Sequence, residues 1–380
     1  MQYYLNHAAS SFPKPTCVAK AMHQALMTAN HDAPGRGHHD GDILWKCRAS
    51  IARLLGVHKP EQIILTPSAT HGINTVITGL LRNGGHVITS TTEHNSVLRP
   101  LYHAQKDFGA QVTFCSTDES ALIDVDRIRQ SIRKNTCLIA VSAASNVTGT
   151  IQPIDKIASL AASVEIPLLI DAAQYIGCIP FNYSALPGRV FVVFAGHKAL
   201  LGPAGTGGLI VPDNTLPQSL FGGTGIRSEL LQHPEELPLR HEAGTPNIPG
   251  FIGLAAAVDY LLKAGIETGA QHKHQLVTLL RDQIKDVPGV QCLPLANNDG
   301  RAGIVSFTLS NMTASEAGYI LADVFLMLTR TGLHCAPQIH RHFKTFPEGT
   351  VRISFGADHP LDTATECATA IQELAGMVQS

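Results

Sequence analysis

The 380-residue sequence lacks the features that tie a protein to nucleic acid or to a membrane. Its 28 basic and 30 acidic side chains give a formal net charge of only −2, so there is no excess of positive charge to attract phosphates or anionic lipids. It also has no run of about 18 apolar residues, and residues 1–6 lack a basic stretch followed by an apolar one. We therefore expect a cytoplasmic protein without nucleic-acid or membrane partners.

Cysteine is present, but it is neither dense nor paired. The eight cysteines stand at positions 17, 47, 115, 137, 178, 292, 335 and 367, without a CxxC pair and without the close spacing of a secreted disulfide scaffold. This distribution predicts reduced thiols in a reducing compartment.

The pattern of apolar residues predicts an α/β fold with two domains. Short β-branched runs alternate with helical patterns at residues 62–66, 86–90, 111–115, 137–141, 167–170, 190–194 and 207–211, as in a seven-stranded, mostly parallel sheet with crossover helices. Helices at 250–264, 269–285 and 361–378 and strands at 304–309 and 351–355 then predict a smaller α+β domain. We assign residues 15–249 to the large domain, and residues 1–14 with 250–380 to the small one.

Two charged residues follow strands of the predicted sheet. Lys198 comes just after the strand at 190–194, where partial desolvation favours the neutral amine that forms a Schiff base. Asp171 ends an apolar strand 27 positions earlier, at the sheet edge where α/β proteins bind ligands. The alternatives are an exposed lysine in a loop and an aspartate that caps a helix.

Two further strand ends carry small polar residues. Ala69 and Thr70 lie in a segment of small hydroxylated residues that opens a helix, where backbone N–H groups and the helix dipole can bind a phosphate. His94 follows the next strand and offers a flat imidazole that can stack on a ring. Serine and threonine also cap helices that bind nothing, so these segments are weak indications when taken singly.

Ten segments occur in an order and spacing that is far more specific than any one of them. They read LNHAASSFPKP, TPSATHGIN, TEHNSV, SAASNVTGTIQPI, LLIDAAQ, FAGHKALLGPAGTGGL, FGGTG, HEAGTPN, RTGLHCAP and GTVRISFG. Nearly end to end, the chain resembles the cysteine desulfurases and selenocysteine lyases of the class V aminotransferase family, in their SufS-like branch. The resemblance implies the fold type I architecture, pyridoxal 5′-phosphate (PLP) as cofactor, L-cysteine or L-selenocysteine as substrate, a homodimer, and a protein that accepts the sulfur or selenium.

The resemblance also implies a role for each residue that matches the motifs. Lys198 would bind PLP covalently and remove the α-proton of the substrate, Asp171 would pair with the pyridinium nitrogen, and His94 would stack on the ring. The remaining cofactor contacts would come from Ala69, Thr70, Asn146, Gln174, His197 and, from the partner subunit, Thr245. Asn146 would also contact the substrate.

Arg352 and Cys335 would act on the substrate. The planar fork of Arg352 suits bidentate binding of a carboxylate, although an arginine in a strand can also serve only in an ion pair. Cys335, in RTGLHCAP, would attack the substrate sulfur and leave a persulfide and alanine. We expect its loop to be long enough to move, and the basic stretch at 340–344 to favour the thiolate. The other seven cysteines are interpreted as inert.

Three departures from the family pattern leave the substrate less certain than the cofactor. Ala195 stands where relatives commonly carry serine, which removes one hydrogen bond to the phosphate. Asn6-His7 and Asp358 replace the usual residues near the substrate pocket. The open alternatives are another PLP reaction, such as transamination, β-elimination or epimerisation, and a non-catalytic scaffold for a sulfur carrier.

Three histidine pairs raise the question of a metal. They are His38/His39, His272/His274 and His340/His342, and none has a third ligand at an established spacing. We therefore predict no metal.

Overall fold

The computed structural model describes residues 3–28, 43–294 and 302–377. In these ranges the strands are β1 (Tyr3–Tyr4), β2 (Ile63–Thr66), β3 (His86–Ser90), β4 (Gln111–Cys115), β5 (Thr136–Ser142), β6 (Leu168–Asp171), β7 (Val190–Ala195), β8 (Gly207–Ile210), β9 (Val290–Leu293), β10 (Ile304–Leu309), β11 (Met327–Leu328), β12 (Arg330–Gly332) and β13 (Thr350–Ser354). The helices are α1 (Thr16–Met27), α2 (Ile43–Leu55), α3 (Ala69–Leu81), α4 (Asn95–Phe108), α5 (Val125–Gln130), α6 (Ile154–Ser163), α7 (Ile248–Ala264), α8 (Ile266–Ile284), α9 (Ala314–Asp323), α10 (Pro337–His342) and α11 (Asp362–Met377).

The main sheet confirms the predicted fold class. Its seven strands run in the order β2-β8-β7-β6-β5-β3-β4, and β8 is antiparallel to both of its neighbours while the other pairs are parallel. Alternate side chains of each strand point to opposite faces, so Ile63 and Ile88 join one apolar cluster and Ile64 and Val87 the other. The sheet is therefore covered on both faces, which explains its continuous apolar strands.

A second sheet lies in the C-terminal part of the chain. It has the order β12-β13-β10-β9 with antiparallel neighbours, and β1 pairs in parallel with β11 apart from it. The sequence predicts β10 and β13 but not β1, β9, β11 and β12, because two to four residues are too few to show an alternating pattern. The last residue of the predicted helix at 361–378 lies outside the described residues.

The apolar clusters suggest a change in the predicted domain boundary. One cluster joins Leu5 to residues of α8, α9, α11 and the second sheet. Helix α7 follows the predicted boundary at residue 249, yet its Phe251, Leu254 and Val258 join the cluster of the main sheet. We therefore propose that the large domain ends at Gly265, whose positive φ of 78° separates α7 from α8.

No helix in the described ranges has by itself the length and apolar character of a membrane span, and the bent pair α7 and α8 meets that measure only when the two are taken together.

A buried ion pair ties α2 to the main sheet. Arg48 Nη2 lies 2.5 Å from Glu242 Oε1, and the two side chains are only 2% and 7% exposed. Arg48 Nε donates to the Ile63 carbonyl at 3.0 Å, and Glu242 Oε1 accepts from Leu65 N at 2.7 Å. The pair thus joins α2, β2 and the segment before α7.

Replacing Arg48 with methionine should destabilise the protein strongly. Methionine cannot replace the charge or the hydrogen bonds that Arg48 supplies to the buried Glu242 carboxylate, so the free energy of unfolding should fall by about 3–5 kcal/mol. Chemical denaturation measures this change. The control is Arg53→Met, which breaks an exposed pair with Asp259 and should cost about 1 kcal/mol or less. Equal losses in the two variants would contradict the prediction.

Candidate active site

A cavity of about 220 Å³ lies where β5, β6 and β7 end. The ends of these strands contribute Ser142, Asp171 and Ala195 to its wall. Nine of the eleven predicted site residues line it: Ala69, Thr70, His94, Asn146, Asp171, Gln174, His197, Lys198 and Arg352. The structure thus brings together residues that are as much as 283 positions apart, at the edge of the sheet where α/β proteins bind ligands.

The amine of Lys198 lies in a desolvated environment. Burial lowers its pKa to about 8, and the nearby guanidinium groups of Arg352 and Arg330 act in the same direction, while the Asp171 carboxylate opposes them. Asp171 is 6% exposed and accepts a hydrogen bond from Ala173 N at 3.0 Å. Near neutral pH the lysine therefore has an appreciable fraction of the nucleophilic amine.

His94 is held as a neutral ring at the start of α4. Its Nδ1 accepts a hydrogen bond from Ser96 N at 3.0 Å and lies 2.6 Å from Ser96 Oγ, which is 3.0 Å from Thr70 Oγ1. Burial lowers the pKa of His94 to about 4, so the imidazole is uncharged at pH 7. The helix cap fixes the ring orientation at the cavity wall.

Arg352 is a buried cation with unused hydrogen-bonding capacity. It is 1% exposed, and its Nη1 and Nη2 donate to the Asn146 carbonyl at 2.9 Å and to Asn6 Oδ1 at 3.1 Å. Its buried Nε has no partner, and no carboxylate within the described ranges forms an ion pair with it. Burial lowers the pKa of Arg352 to about 9. An anion that enters the cavity would satisfy this group.

Cys335 lies beside the cavity rather than in its wall. Its Sγ is 3.8 Å from Nη2 of Arg330, which lines the cavity. Arg330 is therefore a cation next to this thiol. In the stretch at 340–344, His340 is neutral because burial lowers its pKa to about 4, and the effect of the stretch on the thiolate stays a prediction. Arg330 is not among the predicted site residues, although the RTGLHCAP motif contains it.

The loop that carries Cys335 is short and is held by hydrogen bonds, whereas we expected a loop long enough to move; its mobility stays a prediction. Only residues 333–336 separate β12 from α10. Asn95 N donates to the Cys335 carbonyl and Asn146 Nδ2 to the His334 carbonyl, both at 2.6 Å. His334 and Cys335 have positive φ values of 48° and 60°, a conformation that costs non-glycine residues energy and that the surrounding contacts maintain.

Thr245 is exposed and does not line the cavity of its own chain. Its predicted contact with a cofactor phosphate therefore needs a second copy of the chain, and it stays a prediction.

Gln174 lines the cavity, and its Nε2 donates to the Ala8 carbonyl at 2.8 Å. The His197 carbonyl accepts from Ser11 N at 3.1 Å, which places the N-terminal segment against the site.

The departures from the family pattern fall into two places. Ala195 lines the 220 Å³ cavity, where its methyl group offers no hydrogen bond, and Asn6 acts on the cavity through Arg352. His7 and Asp358 instead line a neighbouring cavity of about 720 Å³, which shares Ala8 and Gln174 with the first.

The histidine pairs do not form a metal centre among themselves in the described ranges. His272 Nε2 contacts the His359 carbonyl at 2.7 Å and His340 Nδ1 contacts Thr345 Oγ1 at 2.8 Å, while His38 and His39 lie outside the described residues. One other group, His7, Asp358 and His359, has ligand atoms within 4.8 Å of one another. However, His359 Nδ1 accepts from Gly356 N at 3.0 Å, and this leaves the proton of a neutral ring on Nε2. The absence of a metal stays a prediction.

The residue before His94 in the chain, Glu93, carries a buried carboxyl group. Glu93 is 0% exposed and accepts hydrogen bonds from Ser90 Oγ at 2.5 Å, Ser142 Oγ at 2.8 Å and Ser142 N at 3.1 Å. Burial raises its pKa to about 7, and the Asp171 carboxylate acts in the same direction against the serine hydrogen bonds.

The raised pKa of Glu93 predicts a pH-dependent gain in stability for Glu93→Gln. In the unfolded chain the glutamate ionises near its ordinary pKa of about 4.3, so the contribution of the protonated group to stability is lost as pH rises from there to about 7. Glutamine stays neutral and should raise the melting temperature, relative to the native protein, more at pH 8 than at pH 5. Thermal unfolding at both pH values measures this, with Glu119→Gln at an exposed position as control. The same difference at both pH values would contradict it.

Comparison with known proteins identifies the family. The aminotransferase class-V family model matches residues 3–362. A probable cysteine desulfurase of Methanothermobacter thermautotrophicus is 33% identical, over 97% of this chain and 94% of that protein. The apo structure of a cysteine desulfurase from Thermococcus onnurineus is similar with a TM-score of 0.89 at 28% identity, covering 99% of this chain and 95% of that one. The cysteine desulfurase CsdA of Escherichia coli gives a TM-score of 0.87 at 26% identity, with coverages of 99% and 95%. The chain therefore belongs to the class V aminotransferase family.

Proposed function

We propose that the protein is a PLP-dependent cysteine desulfurase that converts L-cysteine to L-alanine and retains the sulfur on Cys335. The observation that carries this proposal is the position of the Cys335 thiol. It lies 3.8 Å from Arg330, at the margin of the cavity that is also lined by Lys198 and by Arg352, whose buried Nε has no hydrogen-bond partner. Relatives and structural neighbours that carry the name cysteine desulfurase support the same activity.

The groups that line the cavity fit PLP. Lys198 supplies an amine of lowered pKa for covalent attachment, the Asp171 carboxylate suits a protonated pyridine nitrogen, and the neutral His94 ring suits stacking. Ala69 and Thr70, in the first turn of α3, and His197 would hold the phosphate, and Gln174 the ring oxygen. When bound there, PLP supplies an electron sink for the substrate α-carbon.

Arg352 orients the substrate through its carboxylate. The free Nε and the adjacent Nη groups present donors in a fixed plane, and the bonds to Asn146 and Asn6 hold that plane still. Asn146 also donates a hydrogen bond to the loop that carries Cys335. The arginine that would bind the carboxylate and the thiol are therefore held in fixed positions relative to each other. The Nζ of Lys198, with its lowered pKa, would serve as the base that takes the α-proton of the substrate.

Cys335 then acts as the nucleophile toward sulfur. Its thiolate attacks the substrate Sγ, a sulfur–sulfur bond forms, and the bond between Cβ and Sγ breaks. The electron pair of the broken bond remains with the carbon skeleton, which takes up protons and leaves as alanine, while the persulfide stays on Cys335. Arg330 stabilises the negative charge of the attacking sulfur, and the short loop holds that sulfur near the cavity.

We further propose that the active form is a homodimer in which Thr245 reaches the phosphate site of the partner. The segment between β8 and α7, which includes Thr245, exposes the apolar side chains Leu220, Phe221, Leu230 and Leu231. Apolar groups of this kind on a surface segment favour contact with another protein surface. Light scattering on the purified protein should give twice the chain mass, and a monomer would contradict the proposal.

A cytoplasmic location and an acceptor protein for the persulfide complete the proposal. None of the eight cysteines, all of which lie in the described ranges, forms a disulfide, as expected of a protein kept in a reducing compartment. A bound persulfide needs a thiol acceptor to regenerate the enzyme, and a reductant can replace that acceptor in the laboratory.

The test is turnover of the purified protein with PLP, a reductant, and either L-cysteine or L-selenocysteine. Alanine and sulfide formed in equal amounts from L-cysteine would support desulfuration. A much faster release of selenide from L-selenocysteine would identify a selenocysteine lyase instead. If the protein binds PLP but forms alanine from neither substrate, the proposal fails and another amino acid must be the substrate.

A further inference from the structure

A buried lysine and a buried cysteine face each other outside the proposed active site. Lys273, on α8, is 8% exposed and Cys178, in the turn after β6, is 4% exposed. The Nζ of Lys273 lies 2.9 Å from the Sγ of Cys178. No carboxylate within the described ranges forms an ion pair with Lys273, whose amine instead contacts the Cys178 thiol.

The pair is accessible to small molecules in spite of its burial. Both residues line the cavity of about 720 Å³ that neighbours the candidate active site. A cavity of that size admits solutes far larger than water or hydrogen peroxide. The other buried cysteines, Cys47, Cys115 and Cys367, do not line this cavity.

The two residues come from separate parts of the fold. Lys273 belongs to α8, which packs in the cluster of the second sheet, whereas the turn of Cys178 follows a strand of the main sheet. The same turn is packed tightly against the residue after Lys198, because a Cβ added to Gly177 would lie 2.6 Å from the Ala199 carbonyl carbon. A bond between Cys178 and Lys273 would therefore join the two parts of the fold next to the active site.

We propose that Cys178 and Lys273 are a modification site for hydroperoxides, which link the two side chains through a sulfur–nitrogen bond. In the first step the Cys178 sulfur attacks a peroxide oxygen and the O–O bond breaks. The sulfur is oxidised by two electrons to a sulfenic acid, and hydrogen peroxide is reduced to water.

In the second step the Nζ lone pair of Lys273 attacks that sulfur, after the extra proton of the ammonium has passed to water. The S–N bond forms, the S–O bond breaks, and the oxygen leaves as water with a proton from the nitrogen. The observed separation of 2.9 Å already lies within the reach of reacting atoms, about 3–3.5 Å. The net change is the loss of two hydrogen atoms, and an excess of thiol would reverse it.

The test treats the purified full-length protein with hydrogen peroxide, digests it with trypsin without reduction, and maps the peptides by mass spectrometry. Residues 157–189 should be found linked to residues 264–281, with a mass about 2 Da below the sum of the two peptides. Treatment with dithiothreitol before digestion should remove this species.

Two variants and a control make the assignment specific. Cys178→Ser and Lys273→Met should both lose the linked peptide, and in Lys273→Met a sulfenic-acid reagent should label Cys178 more strongly than in the native protein. Lys285→Met, beyond the end of the same helix, should retain the link. The native measurement alone decides the matter even if a variant fails to fold. Native protein in which peroxide leaves Cys178 as a thiol, or converts it to sulfinic acid without any linked peptide, overturns the proposal.

Discussion

Replacing Cys335 with serine should lower alanine formation from L-cysteine by at least about 10³-fold, because the hydroxyl cannot replace a thiolate as acceptor of sulfur. PLP binding should not change, since Cys335 does not line the cavity that fits the cofactor. The serine also keeps the backbone contacts of the loop, whose Cys335 carbonyl accepts from Asn95 N. Loss of turnover with retained cofactor would separate a chemical role from a structural one.

The matched control for this prediction is Cys292→Ser. Cys292 is a partly exposed cysteine in β9, at the edge of the second sheet, and its replacement should leave alanine formation within about twofold of the native rate. Turnover that persists in Cys335→Ser would show that the reaction does not pass through this thiol. A different PLP reaction, such as transamination or β-elimination, would then explain the fold better.

Replacing Lys198 with methionine should abolish both covalent attachment of the cofactor and turnover. Methionine fills a similar volume but has no amine, so the yellow absorbance of lysine-bound PLP should be absent, and alanine formation should fall by at least about 10³-fold. Absorbance spectroscopy before and after dialysis measures attachment, because cofactor held only by noncovalent contacts is lost more readily.

A lysine with a different environment provides the control for Lys198. Lys263→Met changes the last turn of α7, outside the candidate active site, and should preserve both the absorbance and the rate. If Lys198→Met retained the yellow absorbance after dialysis, another amine would hold the cofactor. The assignment of Lys198 would then be wrong even if the protein proved to be a desulfurase.

The parts of the site that the sequence predicts are those set by local structure. Asp171 and Lys198 follow strands whose apolar runs are readable in isolation, and parallel strands carry their ends to one edge of the sheet. The ten motifs added Arg352 and Cys335 by resemblance. Each of these residues has a strong local signal in its own segment.

Contacts between segments that are far apart in the chain could not be predicted from the local sequence pattern. The bond from Arg352 to Asn6 spans 346 positions, and the position of Arg330 beside Cys335 depends on how β12 and a four-residue loop pack. The short strands β1 and β11 also depend on a pairing that neither segment encodes alone. Such features depend on tertiary packing, which overrides local propensity.

The pairing of β1 with β11 has a consequence for the order in which the protein can fold during synthesis. Leu5 is buried among residues from positions 276 to 375, and Asn6 accepts a hydrogen bond from Arg352. The segment that contains Leu5 and Asn6 is synthesised before these partners and can pack only after they have been synthesised. The two clusters of the main sheet use residues 44–261 and can pack before that point. A nascent chain that stops before Thr350 would therefore hold Lys198 and Asp171 in a formed sheet while it lacks the arginine that would select the substrate.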